Sequence, residues 1–185
     1  MASTKDTIIQ LGDALIRDKG YNAFSYHDIS KALGIKNAAI HYYFPNKSDL
    51  GSAIIKDHID KVAALRDSLK EKDPLTKLKS FLQIYTSIKS QNMVCIVGSL
   101  ATDLHSIDKN METLLRTLAE NIIQWIIEIL EEGKKAKIFA YENPSRVQAL
   151  MIISNMLASV QLSRLTNEND FKKIKETVIN QIKVK

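Results

Sequence analysis

Residues 25 to 47, SYHDISKALGIKNAAIHYYFPNK, decide the fold, because they read as two short helices joined by a tight turn. Ile29, Ala32 and Leu33 share one helical face, Gly34 suits the left-handed residue that ends a first helix, and Ile35 is an apolar plug in the turn. Asn37 is expected to cap a second helix, AAIHYYF, which Pro45 helps to stop. This is the pattern of a helix-turn-helix, spanning about 25 to 44, whose second helix enters the major groove of DNA.

Working outward, Ile8, Leu11, Leu15 and Ile16 recur at helical spacing, so a supporting helix is expected from about Thr4 to Lys19, with Gly20 as its stop. Tyr21 and Phe24 are expected to anchor the connection in the small core of a three-helix head. Downstream, Asn46 and Asp49 form a shortened capping box for a helix running to about Lys70, with Leu50, Ile54, Val62, Leu65 and Leu69 inward. The EKDP segment breaks it, with Asp73 capping the next helix and Pro74 in its first turn. Further helices are expected at Leu75 to Ser90, Cys95 to His105, Met111 to about Lys135, Pro144 to about Leu165, and Phe171 to Ile182.

The expected class is therefore all-α: a head at 1–47 and a larger helical body at 48–185. Hydrophobic content of 45% supplies a core, and three prolines and six glycines among 185 residues favour long helices. The net charge of +5 is modest, so its placement carries the argument. From Ile29 to Ser48 there is no acidic residue, while Lys31, Lys36 and Lys47 are all present. A lone cysteine, Cys95, leaves no intrachain disulfide, and a charged N-terminus and interrupted apolar runs point to a cytoplasmic protein without a membrane span.

The run GIKNAAIHYYFPNKSDL resembles the signature of the TetR family of bacterial transcriptional regulators, with its glycine, short helix ending in aromatics, and lysine opening the next helix. The resemblance covers Ile8 to about Leu50. It implies a regulator, most often a repressor, whose helical body binds a small-molecule inducer and dimerises. One departure stands out: many family members have tyrosine where this chain has His41. No cofactor is implied.

Docked in the usual way, the segment places Lys36, Asn37, Ala38, Ala39, His41 and Tyr42 at the start and exposed face of the recognition helix. Asparagine pairs with adenine edges or a phosphate, histidine donates or accepts, and alanine admits a thymine methyl. Lys47 is expected to meet a phosphate, and Ser25 and His27 to bind the backbone at the opening of the preceding helix. Against this, Lys31 and Lys36 also suit a solvated surface, and Phe44 with one of Tyr42 and Tyr43 is expected in the core.

A single head makes few contacts, so a homodimer on a two-fold operator is expected, with half-sites about 34 to 36 Å apart. The apolar segments 144–165 and 171–182 are the candidate dimer helices, as two copies would form a four-helix bundle; the lesser alternative is that they only complete the monomer core. For the inducer site implied by the resemblance, Met93, Cys95, Leu100, Leu104, Trp125 and Met156 are candidates, as apolar, aromatic or adaptable side chains. CIVGSLATDL further resembles a subset of the family in which a cysteine opens the sixth helix and some members sense electrophiles or oxidants. Free cysteine is nevertheless among the most buried residues, and the apolar neighbours Val94 and Ile96 favour a core thiol over a sensing one.

Two rivals frame this reading. An enzyme is disfavoured, since the four histidines show no metal-ligand spacing, no glycine loop cradles phosphate, and Asp103 and His105, two apart on a helix, point apart. A helical dimeric ligand-binding or interaction protein without DNA binding is the other, and the acid-free basic segment argues against it.

Overall fold

A computed structural model describes residues 3 to 184, with position 168 described in its main chain alone. Among the described residues the chain forms nine helices and no strand: α1 (Thr4–Lys19), α2 (Tyr26–Leu33), α3 (Asn37–Tyr43), α4 (Lys47–Ser68), α5 (Pro74–Ser90), α6 (Ile96–Thr102), α7 (Lys109–Lys135), α8 (Ser145–Leu162) and α9 (Glu168–Asn180). The all-α expectation holds, and α1 has the expected bounds. The sixth helix is shorter than expected, ending at Thr102, because the chain turns there and again through Ser106. The last helix starts earlier and stops earlier, with Asn167 accepting from the Asn169 N–H as its cap. None of the described helices is long and apolar enough to cross a membrane.

The chain divides into two compact units, one taking residues up to Lys61 with Ile96–Ala119, the other Val62–Cys95 with Glu120 onward. In the first unit, Ser3 and Asp6 cap the start of α1, whose Ile8 and Ile16 are buried. Leu50, Ile54 and Ile55 of α4 are fully buried, and Ser99 of α6 donates to the Ile16 carbonyl at 2.8 Å. Tyr21 and Phe24 are buried as expected. His58 Nε2 lies 2.7 Å from Asp13 Oδ1, and Arg17 donates to the other oxygen at 3.0 Å.

In the second unit, Asp73 caps α5 by accepting from the Thr76 N–H at 3.0 Å, with Pro74 in the first turn, where its missing N–H costs nothing. Leu78, Phe81, Leu82 and Tyr85 of α5 then pack with Trp125, Ile126, Ile129 and Leu130 of α7, with Ile152, Met156 and Val160 of α8, and with Phe171 and Val178 of α9. The Phe81 ring meets Tyr85 and Trp125 edge-on. An antiparallel bridge, Phe139 with Lys183, ties the residues after α7 to those after α9.

α7 ends at Lys135 as expected and begins two residues earlier than expected, at Lys109, so that Gly133 lies inside its last turn. Gly133 is there because Phe139 folds back over it, and a Cβ at 133 would overlap the ring. At Gly51 a Cβ would meet only the flexible end of Met111 and the edge of Tyr21. Gly133→Ala is therefore expected to destabilise by about 1–3 kcal/mol through overpacking, and Gly51→Ala by less, as read by thermal or urea unfolding.

Asp13 generates a pH prediction. Burial pushes its carboxyl up, but His58 and Arg17 outweigh that and hold it below the usual carboxylate range. A carboxyl depressed on folding adds stability that is complete above its unfolded value near pH 4 and is lost as pH falls through the folded one. Asp13→Asn should lower stability near neutrality by roughly 1–2 kcal/mol, and the gap from the natural chain should close in acid, as read by calorimetry across pH.

Candidate nucleic-acid interface

The helix-turn-helix is assembled from short-range bonds. At the start of α2, the Ser25 N–H and Oγ donate to Asp28 Oδ2 at 2.7 and 2.8 Å, and these bonds hold the Asp28 carboxyl below its ordinary range. Gly34 ends α2 with φ of 66°, a left-handed conformation that glycine adopts without a Cβ penalty. The Ile35 N–H then bonds back to the Ser30 carbonyl at 3.1 Å. Ile35 is half-buried, as a turn plug should be.

The second helix differs from expectation at its start. Lys36, in extended conformation, is the N-cap residue, and its carbonyl accepts from the Ala39 N–H at 2.9 Å. Asn37 is thus the first helical residue rather than the cap, and no side chain caps α3. The amide of Asn37 is consequently not used in capping. Phe44 adopts an extended backbone and ends the helix one residue early.

At about 100° per residue, Asn37, Ala38, His41 and Tyr42 fall within roughly 140° of arc on α3. All four are exposed, Tyr42 to 81%, while Ile40 is fully buried and Phe44 nearly so. Lys36 is exposed beside them, and Ala39 is half-buried at the edge of the face. One tyrosine was expected in the core, and neither lies there. Ile40 and Phe44, four residues apart, fill the inward line, and Tyr43, 37% exposed, stacks edge-on against Tyr42 at 5.0 Å instead.

Two polar contacts set the end of α3. His41 Nδ1 lies 3.1 Å from the Pro45 carbonyl, which can only accept, so Nδ1 carries the proton and Nε2 of the neutral ring is left as an acceptor. Tyr26, which the sequence did not single out, is buried edge-on to the His41 ring. Its hydroxyl lies 2.9 Å from the Phe44 carbonyl and 2.7 Å from that of Asn46, and burial drives its pKa far upward, so the phenol stays a donor. No periodicity signals this role, since the partners are main-chain carbonyls 18 and 20 residues away.

Lys47 opens α4 and is partly withdrawn from solvent. Its Nζ donates to the Phe24 carbonyl at 2.5 Å and sits over the Phe24 and Tyr21 rings at 4.3 and 4.7 Å. Desolvation lowers its pKa, against the pull of Asp103 and Asp28. An ammonium has three N–H groups, so two remain after the Phe24 bond. Asp49 accepts from the Asn46 N–H at 2.9 Å, making one arm of the expected capping box. Ser25 and His27 are exposed at the start of α2, with Ser25 engaged by Asp28. The acid-free stretch is thus bounded by two carboxylates, each tied to a helix start.

The candidate inducer residues are not all brought together. Trp125 and Met156 are buried in the core of the second unit, with Met93 and Cys95 packed against it; Leu100 and Leu104 belong to the first unit. Cys95 immediately precedes α6 and neighbours the buried Tyr85 phenol, whose pKa is raised by burial and by that thiol. Asp103 does not face His105: it accepts from the Tyr21 N–H and from Asn22, and His105 is exposed. Among the described residues no group of three or more histidines, cysteines or carboxylates is placed to hold a metal.

Residues 8–54 match the family of bacterial regulatory proteins described as the tetR family. A crystal structure of a TetR transcriptional regulator from Legionella pneumophila is 33% identical, with 99% of each chain covered and a TM-score of 0.88. The chain belongs to the TetR family. Two further relatives are less similar in sequence. The transcriptional regulator AcuR of Cereibacter sphaeroides is 25% identical over 135 residues, 69% of this chain and 61% of AcuR, so this chain spans less than two thirds of that relative. The HTH-type negative regulator of the biofilm operon, IcaR of Staphylococcus aureus, is 22% identical over 133 residues, 70% of this chain and 71% of IcaR.

Tyr26→Phe removes the hydroxyl that serves two carbonyls at the junction of α3 and α4. It is expected to cost about 1–2 kcal/mol in thermal unfolding and to weaken DNA binding beyond that loss, because α3 loses its end restraint; unchanged DNA affinity would contradict the restraint.

Proposed function

We propose that this TetR-family chain is a cytoplasmic transcriptional repressor that binds a palindromic operator as a homodimer and leaves it when a small-molecule inducer binds. Residues 1–47 form the DNA-binding domain and 48–185 the ligand-binding and dimerisation domain, without a catalytic reaction. The observation that carries the reading is the face of α3: Asn37, Ala38, His41 and the 81% exposed Tyr42 on one side, with Ile40 and Phe44 buried on the other. Lys36, Ala39 and Lys47 complete the contacts to bases and phosphates, with Ser25 and His27 on the backbone at the start of α2. Repression is favoured over activation because IcaR is named as a negative regulator.

The dimer is assigned to α8 and α9. α8 is apolar on two sides: Ala149, Ile152, Met156 and Val160 face the core, while Val147, Leu150, Met151 and Leu162 are exposed, joined by Leu165 just beyond the helix. With the small Ser154 and Ala158 also exposed, they form a stripe along the helix. The exposed side of α9 carries Lys172, Lys173 and Glu176 and suits a polar rim. For the inducer, Met93, Cys95, Trp125 and Met156 are proposed together in the second unit, while Leu100 and Leu104 lie in the first and are left out of that site. A ligand acts only by binding the DNA-incompetent state more tightly.

Sequencing of genomic fragments retained by the purified protein, read with its solution mass, tests the proposal. Enrichment of a short palindrome by a dimer is expected; a folded dimer retaining no fragment at low salt would instead favour a helical ligand-binding or interaction protein. Lys36→Ala should weaken binding and flatten the salt dependence by about one unit of slope per head, and Tyr42→Ala should weaken binding in a folded dimer. Leu150→Glu should shift the solution mass to the monomer.

A further inference from the structure

We propose that Asp103, which lies outside the DNA-facing segment, is a positioning residue for DNA binding: it holds the Gly20–Phe24 turn that cages the Lys47 ammonium. The proposal rests on the reading of Lys47 as a phosphate contact, and it adds a residue that the sequence assigned no such part.

The observations form a chain of contacts within the first unit. Beyond the end of α1 the Tyr21 N–H is taken by Asp103 Oδ2 at 2.8 Å. The other oxygen accepts from Asn22 Nδ2 at 2.9 Å, and that amide also donates to Ser106 Oγ at 2.8 Å. Gly20, with φ of 92°, lets the chain leave α1 in a direction other residues rarely adopt, and a Cβ there would lie 3.4 Å from Asp103 Oδ2. Asp103 thus holds both the main chain and a side chain of the turn.

The same turn supplies the hydrogen-bond acceptor and the ring faces that hold the Lys47 ammonium: the Phe24 carbonyl and the faces of Phe24 and Tyr21. Where the ammonium rests is therefore decided by where the turn rests. A free lysine must surrender much side-chain freedom to hold one phosphate, whereas a caged one has already lost it. With one N–H on the Phe24 carbonyl, the other two are presented from a fixed point. Losing Asp103 frees the turn, blurs that point and restores the entropic cost of binding.

The test uses the full-length protein and the genomic fragment it enriches. Asp103→Ala is expected to weaken binding roughly 2- to 10-fold per head, corresponding to one immobilised side chain. In a Lys47→Gln background the same change is expected to have no further effect, a non-additivity that a purely structural contribution does not produce. Without DNA, amine acetylation read by mass spectrometry should modify Lys47 slowly in the natural chain and faster in Asp103→Ala. Asp103→Asn, which can keep both bonds if the Asn22 amide flips, should restore slow acetylation and tight binding. If Asp103→Ala does not fold, Asn22→Ala loosens the same turn and takes its place in the cycle. Additive losses, or unchanged acetylation in a folded variant, overturn the proposal and leave the regulator reading standing. A natural chain that binds no fragment overturns both.

Discussion

A helix of seven residues has no stability of its own, because nucleation costs more than so few bonds return. α3 is such a helix, and it lacks a side-chain cap. It exists because Ile40 and Phe44 are buried and because the Tyr26 hydroxyl and the His41 ring hold the main chain that follows. The exposed face proposed to meet DNA depends on that burial. Each outward residue on α3 has its direction set by the two inward ones.

The same logic extends through the first unit. α1 contributes Ile8 and Ile16 to its core and carries Asp13, which reaches His58 near the end of the α4 stretch in that unit. Burying a carboxylate is costly unless it is paired, and here the His58 ring and the Arg17 guanidinium make the charged form the favoured one. Lys47 shows the complementary arrangement: a cation partly withdrawn from water and held by ring faces and a carbonyl. A residue chosen by sequence for its charge is also part of the packing.

In the second unit, α8 shows why apolar content alone does not assign a helix face. Its apolar residues run almost all the way round, so periodicity gives no inward side. The core takes Ala149, Ile152, Met156 and Val160, and the remainder forms an exposed stripe. α9 differs, with Phe171 and Val178 buried and charged residues outward. The sequence treated the two helices as equivalent dimer elements; exposure gives the apolar share to α8.

The sequence by itself determined the helical class, the helix-turn-helix, the caps at Asp73 and Gly34, and the full extent of α1. These follow from local causes: apolar spacing, glycine at a left-handed position, and a carboxylate before a helix start. It missed the start of α3, because Lys36 takes the cap position by its backbone angles while Asn37 has the better capping side chain. It also misjudged Tyr43 and overlooked Tyr26 and Asp103, whose partners lie 18 to 82 residues away and include carbonyls and N–H groups that leave no trace in residue type. Only the tertiary structure decided those points, since main-chain groups are identical at every position and only folding selects which side chain they meet.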